Sequence, residues 1–182
     1  MEEQKENKKW VTVSLETVKT VKPVKEKQKR QVTNEKKWSF REQDLSSQNQ
    51  WELVEQIKEK RIINENKEYC DIILQQLNGK IYGYKSQDID KKILDETKIV
   101  NLNDVIDLLI FYHNKCYYCQ ESVQVLYEFV REPSQWTLDR LDNQYGHNTD
   151  NVVISCLRCN LRRKTMHSER YVFTKQMVIK KV

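Results

Sequence analysis

Hydrophobic positions are thin and unclustered over residues 1–50 and gather into periodic blocks beyond them. The first stretch is rich in Lys, Glu, Gln and Asn with scattered Val. Ordering it costs more conformational entropy than its burial returns, so residues 1–50 read as a flexible, disordered basic arm. Val11, Val13 and Leu15 alternate as a short strand would, but nothing nearby supplies a partner, and Pro23 interrupts the Val/Lys run that follows. From Trp51 the spacing of Trp51, Val54, Ile57 and Ile62 predicts an amphipathic helix. A second apolar patch, Ile72, Ile73, Leu74 and Leu77, ends at Asn78 and Gly79, a turn or helix-stop signal, and Ile81 to Tyr84 read as a short extended piece. Residues 51–102 are thus a helical or mixed accessory region. Asn103 then caps a helix whose apolar face is Val105, Ile106, Leu108, Leu109 and Tyr112, and which opens the unit 103–182.

Beyond residue 119 the pattern turns to period two. Residues 123–130 are apolar and β-compatible, ended by Glu132-Pro133-Ser134. Trp136-Thr137-Leu138 predicts a strand that delivers Asp139 and Arg140 at its end. Residues 143–151 form a polar loop containing Gly146, and 151–154 return as a second strand. Ser155 is placed to cap a helix starting at Cys156, with Asn160 about one turn in on the same face as Cys156. The expected class is α+β: a small ββα unit preceded by helices. The tail residues Tyr171, Val172, Phe173, Met177, Val178 and Ile179 are expected to pack back on it as a helix or a last strand.

Two Cys-x-x-Cys pairs, Cys116/Cys119 and Cys156/Cys159, change the picture. Each such turn presents two thiolates to one Zn²⁺ at tetrahedral angles, and two turns complete a closed four-sulfur structural site. The alternative is a set of unrelated buried thiols or a redox motif. The 36 residues between Cys119 and Cys156 exceed a simple zinc ribbon, so the insert carries structure of its own. Cys70 lacks a partner at ligand spacing and reads as a buried small hydrophobe. His113 and His167 flank the turns but read as surface residues, four thiolates already being present. Only 38% of the 182 residues are hydrophobic, which excludes a large core and gives a metal staple something to do. No apolar run reaches the ~18 residues of a membrane span, and the charged start lacks a signal-peptide centre. The expected setting is intracellular, cytoplasmic or nuclear, where thiols stay reduced.

The net charge of +5 is unevenly spread: residues 1–40 hold 11 Lys/Arg against 6 Asp/Glu, residues 41–138 hold 12 against 17, and residues 139–182 hold 9 against 4. Basic ends suit a polyanion, and Arg158, Arg162, Arg163 and Lys164 beside the second cysteine pair are the expected phosphate contacts. A solvated helix face is the plain alternative.

The run Trp136-Thr-Leu-Asp-Arg-Leu-Asp-Asn143, then Gly146-His147-Asn148, then Asn151-Val-Val-Ile-Ser-Cys156 and Cys159-Asn160, resembles the HNH endonucleases. The likeness is to the zinc-stapled branch of the ββα-metal superfamily that includes phage recombination endonucleases, and to HNH-type proteins of large DNA viruses. It covers roughly residues 103–166. The resemblance implies that Asp139 and Asn160 hold one catalytic Mg²⁺ or Mn²⁺, and that Asn151 ties the loop and orients the base. It further implies phosphodiester hydrolysis, with double-stranded or branched DNA as partner.

One position departs from that family: Arg140 stands where a His usually follows the Asp, and a guanidinium cannot act as a base near neutral pH. Three readings follow. His147 reaches the same spot from the loop; or Asp142 or solvent supplies the base while Arg140 neutralises the phosphate; or the site binds without cleaving. The rivals to a nuclease are a catalytically inactive zinc-stabilised DNA-binding module and a zinc-knotted protein-interaction platform. The choice of DNA or RNA, and a homodimer that cuts both strands, stay open.

Overall fold

The computed structural model describes residues 40–177. The expected arm up to residue 39, with Val11, Val13, Leu15 and Pro23, lies outside the described residues, as do Val178 and Ile179 of the tail. The described chain is a mixed α+β fold with five helices and one two-stranded antiparallel sheet. In order these are α1 (Ser47–Glu59), α2 (Lys67–Asp90), α3 (Leu102–Phe111), β1 (Trp136–Arg140), β2 (Val152–Cys156), α4 (Leu157–Arg163) and α5 (Ser168–Gln176).

Helix α1 begins before residue 50, so the expected arm is too long at its C-terminal end. The Ser46 hydroxyl caps the helix by accepting the Asn49 N–H, and Gln50, Leu53, Val54 and Ile57 form its buried stripe at helical spacing. Ahead of it, buried Asp44 is tied by Arg41 and Tyr69. Lys60 ends the helix in the left-handed region at φ 56°, so Ile62 falls outside it.

Helix α2 overturns the stop expected at Asn78 and Gly79 and the extended piece over 81–84. It runs unbroken for 24 residues. Neither Gly79 nor Gly83 adopts positive φ, and the Asn78 side chain donates back to the Leu74 carbonyl, one turn earlier, instead of leading the chain out. What carries the helix through is tertiary: beyond Leu77 its inner face continues through side chains that grip β1. Helix α3 starts at Leu102, not after Asn103. Asn101 is the cap, accepting the Asn103 and Asp104 N–H groups while the Asp104 carboxylate accepts the Asn101 N–H.

Residues 123–130 are buried at Val123, Val125, Leu126 and Tyr127 but form no strand. Their backbone finds a side chain instead of a sheet partner: Gln50 Oε1 accepts the N–H groups of Val125 at 2.8 Å and Leu126 at 2.9 Å, while its Nε2 donates to the Leu45 carbonyl. The expected hairpin is present in register Trp136↔Cys156, Leu138↔Ile154 and Arg140↔Val152, with all ten strand residues buried. Helix α4 lies against both strands. Its cap is Cys156, one residue past the expected Ser155. Helix α5 packs back through buried Tyr171. One continuous core runs from Leu53 to Tyr171, so no separate core is closed off at residue 102.

Candidate functional site

The first cysteine turn is shaped by Gln120, which sits at φ 60° and donates its N–H to the Cys116 carbonyl at 2.9 Å. The second is shaped by the strand-to-helix junction: Cys156 ends β2 and caps α4, its sulfur accepting the Cys159 N–H. All four Sγ atoms lie within 4.8 Å of one another, and Cys119 and Cys156 are 3.9 Å apart. Tetrahedral zinc with ~2.3 Å bonds to sulfur requires S···S edges of about 3.8 Å. The thiols are free of disulfides, and together they can hold one structural metal such as zinc. Burial raises the Cys159 thiol to about 11, and contact with Cys156 together with burial raises Cys116 further, so a metal entering here displaces protons. Cys70 is fully buried and pushed up to about 11 by that burial, an inert thiol as expected. His113, packed at a tilt against Trp51, and His167 are both exposed and outside the cluster.

Above this knot lies an open polar cleft of about 300 Å³, lined among others by Asp139, Arg140, His147, Asn160 and Lys164. Five residues singled out in the sequence therefore meet at one place, delivered by β1, the 141–151 loop and α4. Asn160 Nδ2 donates to Thr137 Oγ1 and the Leu138 carbonyl, both at 3.2 Å, which pins α4 to β1 and leaves Oδ1 as its uncommitted acceptor. Arg140 is almost buried and donates Nη1 to the Tyr145 carbonyl at 3.2 Å, bracing the loop. Asn151 stands behind the cleft: its Oδ1 accepts the Asp142 N–H at 3.0 Å and its Nδ2 donates to the Asp142 and Gly146 carbonyls.

Asp139 is the most heavily bound of the set. Arg163 donates Nε to Oδ2 and Nη2 to Oδ1, and the Tyr118 hydroxyl donates to Oδ2 at 2.8 Å. A carboxylate offers roughly four lone-pair positions, so three are taken and one, on Oδ1, remains. The expected basic cluster is accordingly split. Arg163 is 2% exposed and locked to Asp139, which corrects its assignment as a phosphate contact. Arg158 and Arg162 are exposed, Arg158 beside Cys156 in a different hollow, and Lys164 alone of the four lines the cleft.

His147 is 4% exposed, its Nδ1 2.8 Å from Asp88 Oδ1 and its backbone N–H donated to Asp88 Oδ2 at 2.6 Å. Its ring stacks on Tyr84 at 4.5 Å between centroids. Burial lowers the His147 pKa, with Asp88 opposing and Arg140 and Lys91 assisting. Both Asp88 and Tyr84 belong to α2, and sequence reasoning missed them. Lys80, Tyr84 and Asp88 recur every fourth residue and so share one helix face. The Lys80 ammonium donates to the Trp136 carbonyl over the Tyr127 and Trp136 rings, where burial draws its pKa to about 7; the Tyr84 hydroxyl accepts the Leu138 N–H; Asp88 holds His147. The signal existed as that i, i+4, i+8 series, but ending the helix at Gly79 cuts it before it starts.

Among the described residues, no helix is long and apolar enough to cross a membrane. Comparison with protein-family models, with curated proteins and with solved structures returned no match.

Proposed function

We propose that the protein is a metal-dependent endonuclease of the HNH type that hydrolyses phosphodiester bonds, with DNA as substrate and zinc as its structural metal. The observation that carries this reading is the convergence of Asp139, Asn160, His147 and Arg140 on one cleft, with Lys164 at its edge. The free acceptor position on Asp139 Oδ1 and the Oδ1 of Asn160 are hard oxygen ligands of the type that Mg²⁺ or Mn²⁺ takes, these ions filling their remaining positions with water and phosphate. Bound there, such an ion supplies Lewis-acid polarisation of the phosphate. The chain's own groups do the rest. His147 accepts the proton of the attacking water, a task its imidazole suits and the Arg140 guanidinium cannot perform. Arg140 and Lys164 stabilise the charge that builds on the phosphate, and exposed Arg158 and Arg162 add affinity without sequence choice.

A second reading, DNA binding without cleavage, draws on the Arg163 fork, which already neutralises Asp139. A plasmid-nicking assay with added Mg²⁺ or Mn²⁺ separates the two. The nuclease reading expects nicking by the wild type and a loss on the order of 10²-fold in Asp139→Asn and Asn160→Ala. Asp139→Asn is preferred to Ala because it keeps an acceptor for Arg163. Intact plasmid with the wild type, or undiminished nicking by Asp139→Asn, overturns it. Salt-dependent binding that needs no added divalent ion and survives Asn160→Ala favours the binding module.

A further inference from the structure

Helix α2 lies outside every motif of the cleft, yet it supplies a fully buried carboxylate whose two oxygens are both turned on one loop residue. Asp88 Oδ2 takes the backbone N–H of His147 and Oδ1 faces Nδ1, so the residue is fixed at two points, one on its backbone and one on its ring. Tyr84, one turn earlier, closes the third side by stacking. The loop is cut to fit this clamp. A Cβ on Gly146 would stand 2.8 Å from Asp88 Oδ2 and 2.8 Å from the Ile93 carbonyl, so only glycine lets the chain pass close enough for His147 to reach the carboxylate.

We propose that Asp88 is a positioning residue for the cleft: its carboxylate holds His147 in the Nδ1-protonated tautomer and so leaves Nε2, the unprotonated nitrogen, as the basic atom on the cleft side. The chemistry is that of acceptor and donor. An ionised carboxylate offers only acceptors, so the nitrogen facing it must carry the hydrogen, and in a neutral imidazole the other nitrogen then has the lone pair. Hydrogen bonding at one ring nitrogen setting the role of the other is the arrangement that orients metal-bound and catalytic histidines generally. The charged groups around the ring are Asp88 on α2 and Lys91 just past its end, Arg140 on β1 beside Asp139, and Lys164 in the turn after α4. Asp88 is the carboxylate that meets the ring itself. Region 51–102 thereby becomes part of the site and not an appendage. The role assigned here deepens the nuclease reading and rests on it for its purpose, though not for its geometry.

The test reads the tautomer directly, by long-range ¹H–¹⁵N correlation of the imidazoles in the full-length, zinc-loaded protein without added Mg²⁺ or DNA. His147 is expected to show a protonated Nδ1 and a lone-pair Nε2. Asp88→Asn places an amide N–H₂ donor at the position of an acceptor, and is expected to flip the ring to the Nε2-protonated form while zinc content and backbone amide dispersion stay as in the wild type. Nicking by that variant is expected to fall on the order of 10²-fold or more, as loss of general-base action does. A wild-type ring protonated at Nε2 overturns the proposal even if the variant fails to fold, and so does a tautomer unmoved in a folded Asp88→Asn. The expected tautomer and flip in a protein that nicks no DNA support the clamp and remove only the nuclease reading.

Discussion

Arg163 meets Asp139 as a fork, Nε to Oδ2 at 2.6 Å and Nη2 to Oδ1 at 2.8 Å, with both side chains almost wholly buried. The same guanidinium donates to the Arg140 and Met166 carbonyls. One side chain thus ties the end of β1 to the turn after α4, where Lys164 takes φ 53°. Removing it leaves a buried carboxylate with only the Tyr118 hydroxyl as donor and takes a donor from each of two carbonyls. Arg163→Ala is expected to destabilise the fold by about 3–5 kcal/mol in chemical denaturation, and Arg163→Lys to recover little of that because an ammonium cannot reproduce the fork. Exposed Arg158→Ala and Arg162→Ala are expected to stay within about 0.5 kcal/mol of wild type, and on the proposed function to weaken DNA binding. An Arg163→Ala protein as stable as the wild type would show that the fork is not a structural tie.

The three glycines divide by environment. Gly79 and Gly83 lie inside α2 with negative φ and with nothing within 4 Å of an added Cβ. Their only effect is to leave the unfolded chain more freedom, so Gly79→Ala and Gly83→Ala are each expected to stabilise by about 0.5–1 kcal/mol. Gly146→Ala is expected to cost about 1–3 kcal/mol, since the new methyl must displace the Asp88 carboxylate or the Ile93 carbonyl. Thermal melts of the three single variants check both signs, and a stabilising Gly146→Ala would contradict the close packing under the loop.

The hairpin, the helix after it and the four cysteines were legible because local signals agree there: alternation in β1 and β2, a polar loop between them, and ligand spacing that needs no knowledge of the partner. That Asn151 ties its own loop was an implication of the resemblance and not of any local signal; its side chain does bond the Asp142 and Gly146 backbone. The helical half was readable only in part. Asn78 and Gly79 are genuine stop residues by propensity, and they were overridden by Lys80 and Tyr84 gripping a strand, and Asp88 a loop, more than fifty residues away. The segment 123–130 has strand composition, but Gln50 supplies the acceptor that a neighbouring strand would have given. Arg163 and Arg162 are indistinguishable in sequence. The helix phase decides that one faces Asp139 and the other water, and that phase was one residue finer than the pattern resolves.

His147 makes stability depend on pH, and the sign follows from its burial. Its folded pKa lies below the ordinary value of about 6.5, chiefly because burial disfavours the charged ring, with Arg140 and Lys91 adding to that and Asp88 opposing. Between the folded and unfolded pKa values the unfolded chain binds more protons, so stability is retained above about pH 6.5 and is lost as pH falls below it. His147→Gln removes this contribution. Urea midpoints measured from about pH 5 to pH 8 are expected to decline more steeply on acidification for the wild type than for the variant. Parallel declines would mean that the ring titrates alike in both states.

Metal removal is expected to unfold the cysteine-bearing half and not merely loosen it. Two turns and a strand-to-helix junction converge on the four sulfurs, and fully buried Trp136 pairs across the sheet with Cys156 itself. Structural zinc in small domains is worth about 10–16 kcal/mol of apparent binding energy, comparable with the whole net stability of an ordinary domain. Protein purified under reducing conditions should therefore carry one zinc per chain by mass spectrometry, and a chelator should lower far-UV ellipticity and red-shift tryptophan emission together. Because each ligand must shed its proton, and burial raises the Cys159 thiol to about 11 without metal, the chelator should act faster as pH falls. Cys119→Ser, at the least buried ligand, should lower zinc occupancy and bring the transition to milder conditions. Metal-free protein with wild-type ellipticity would leave the thiol cluster without a structural task.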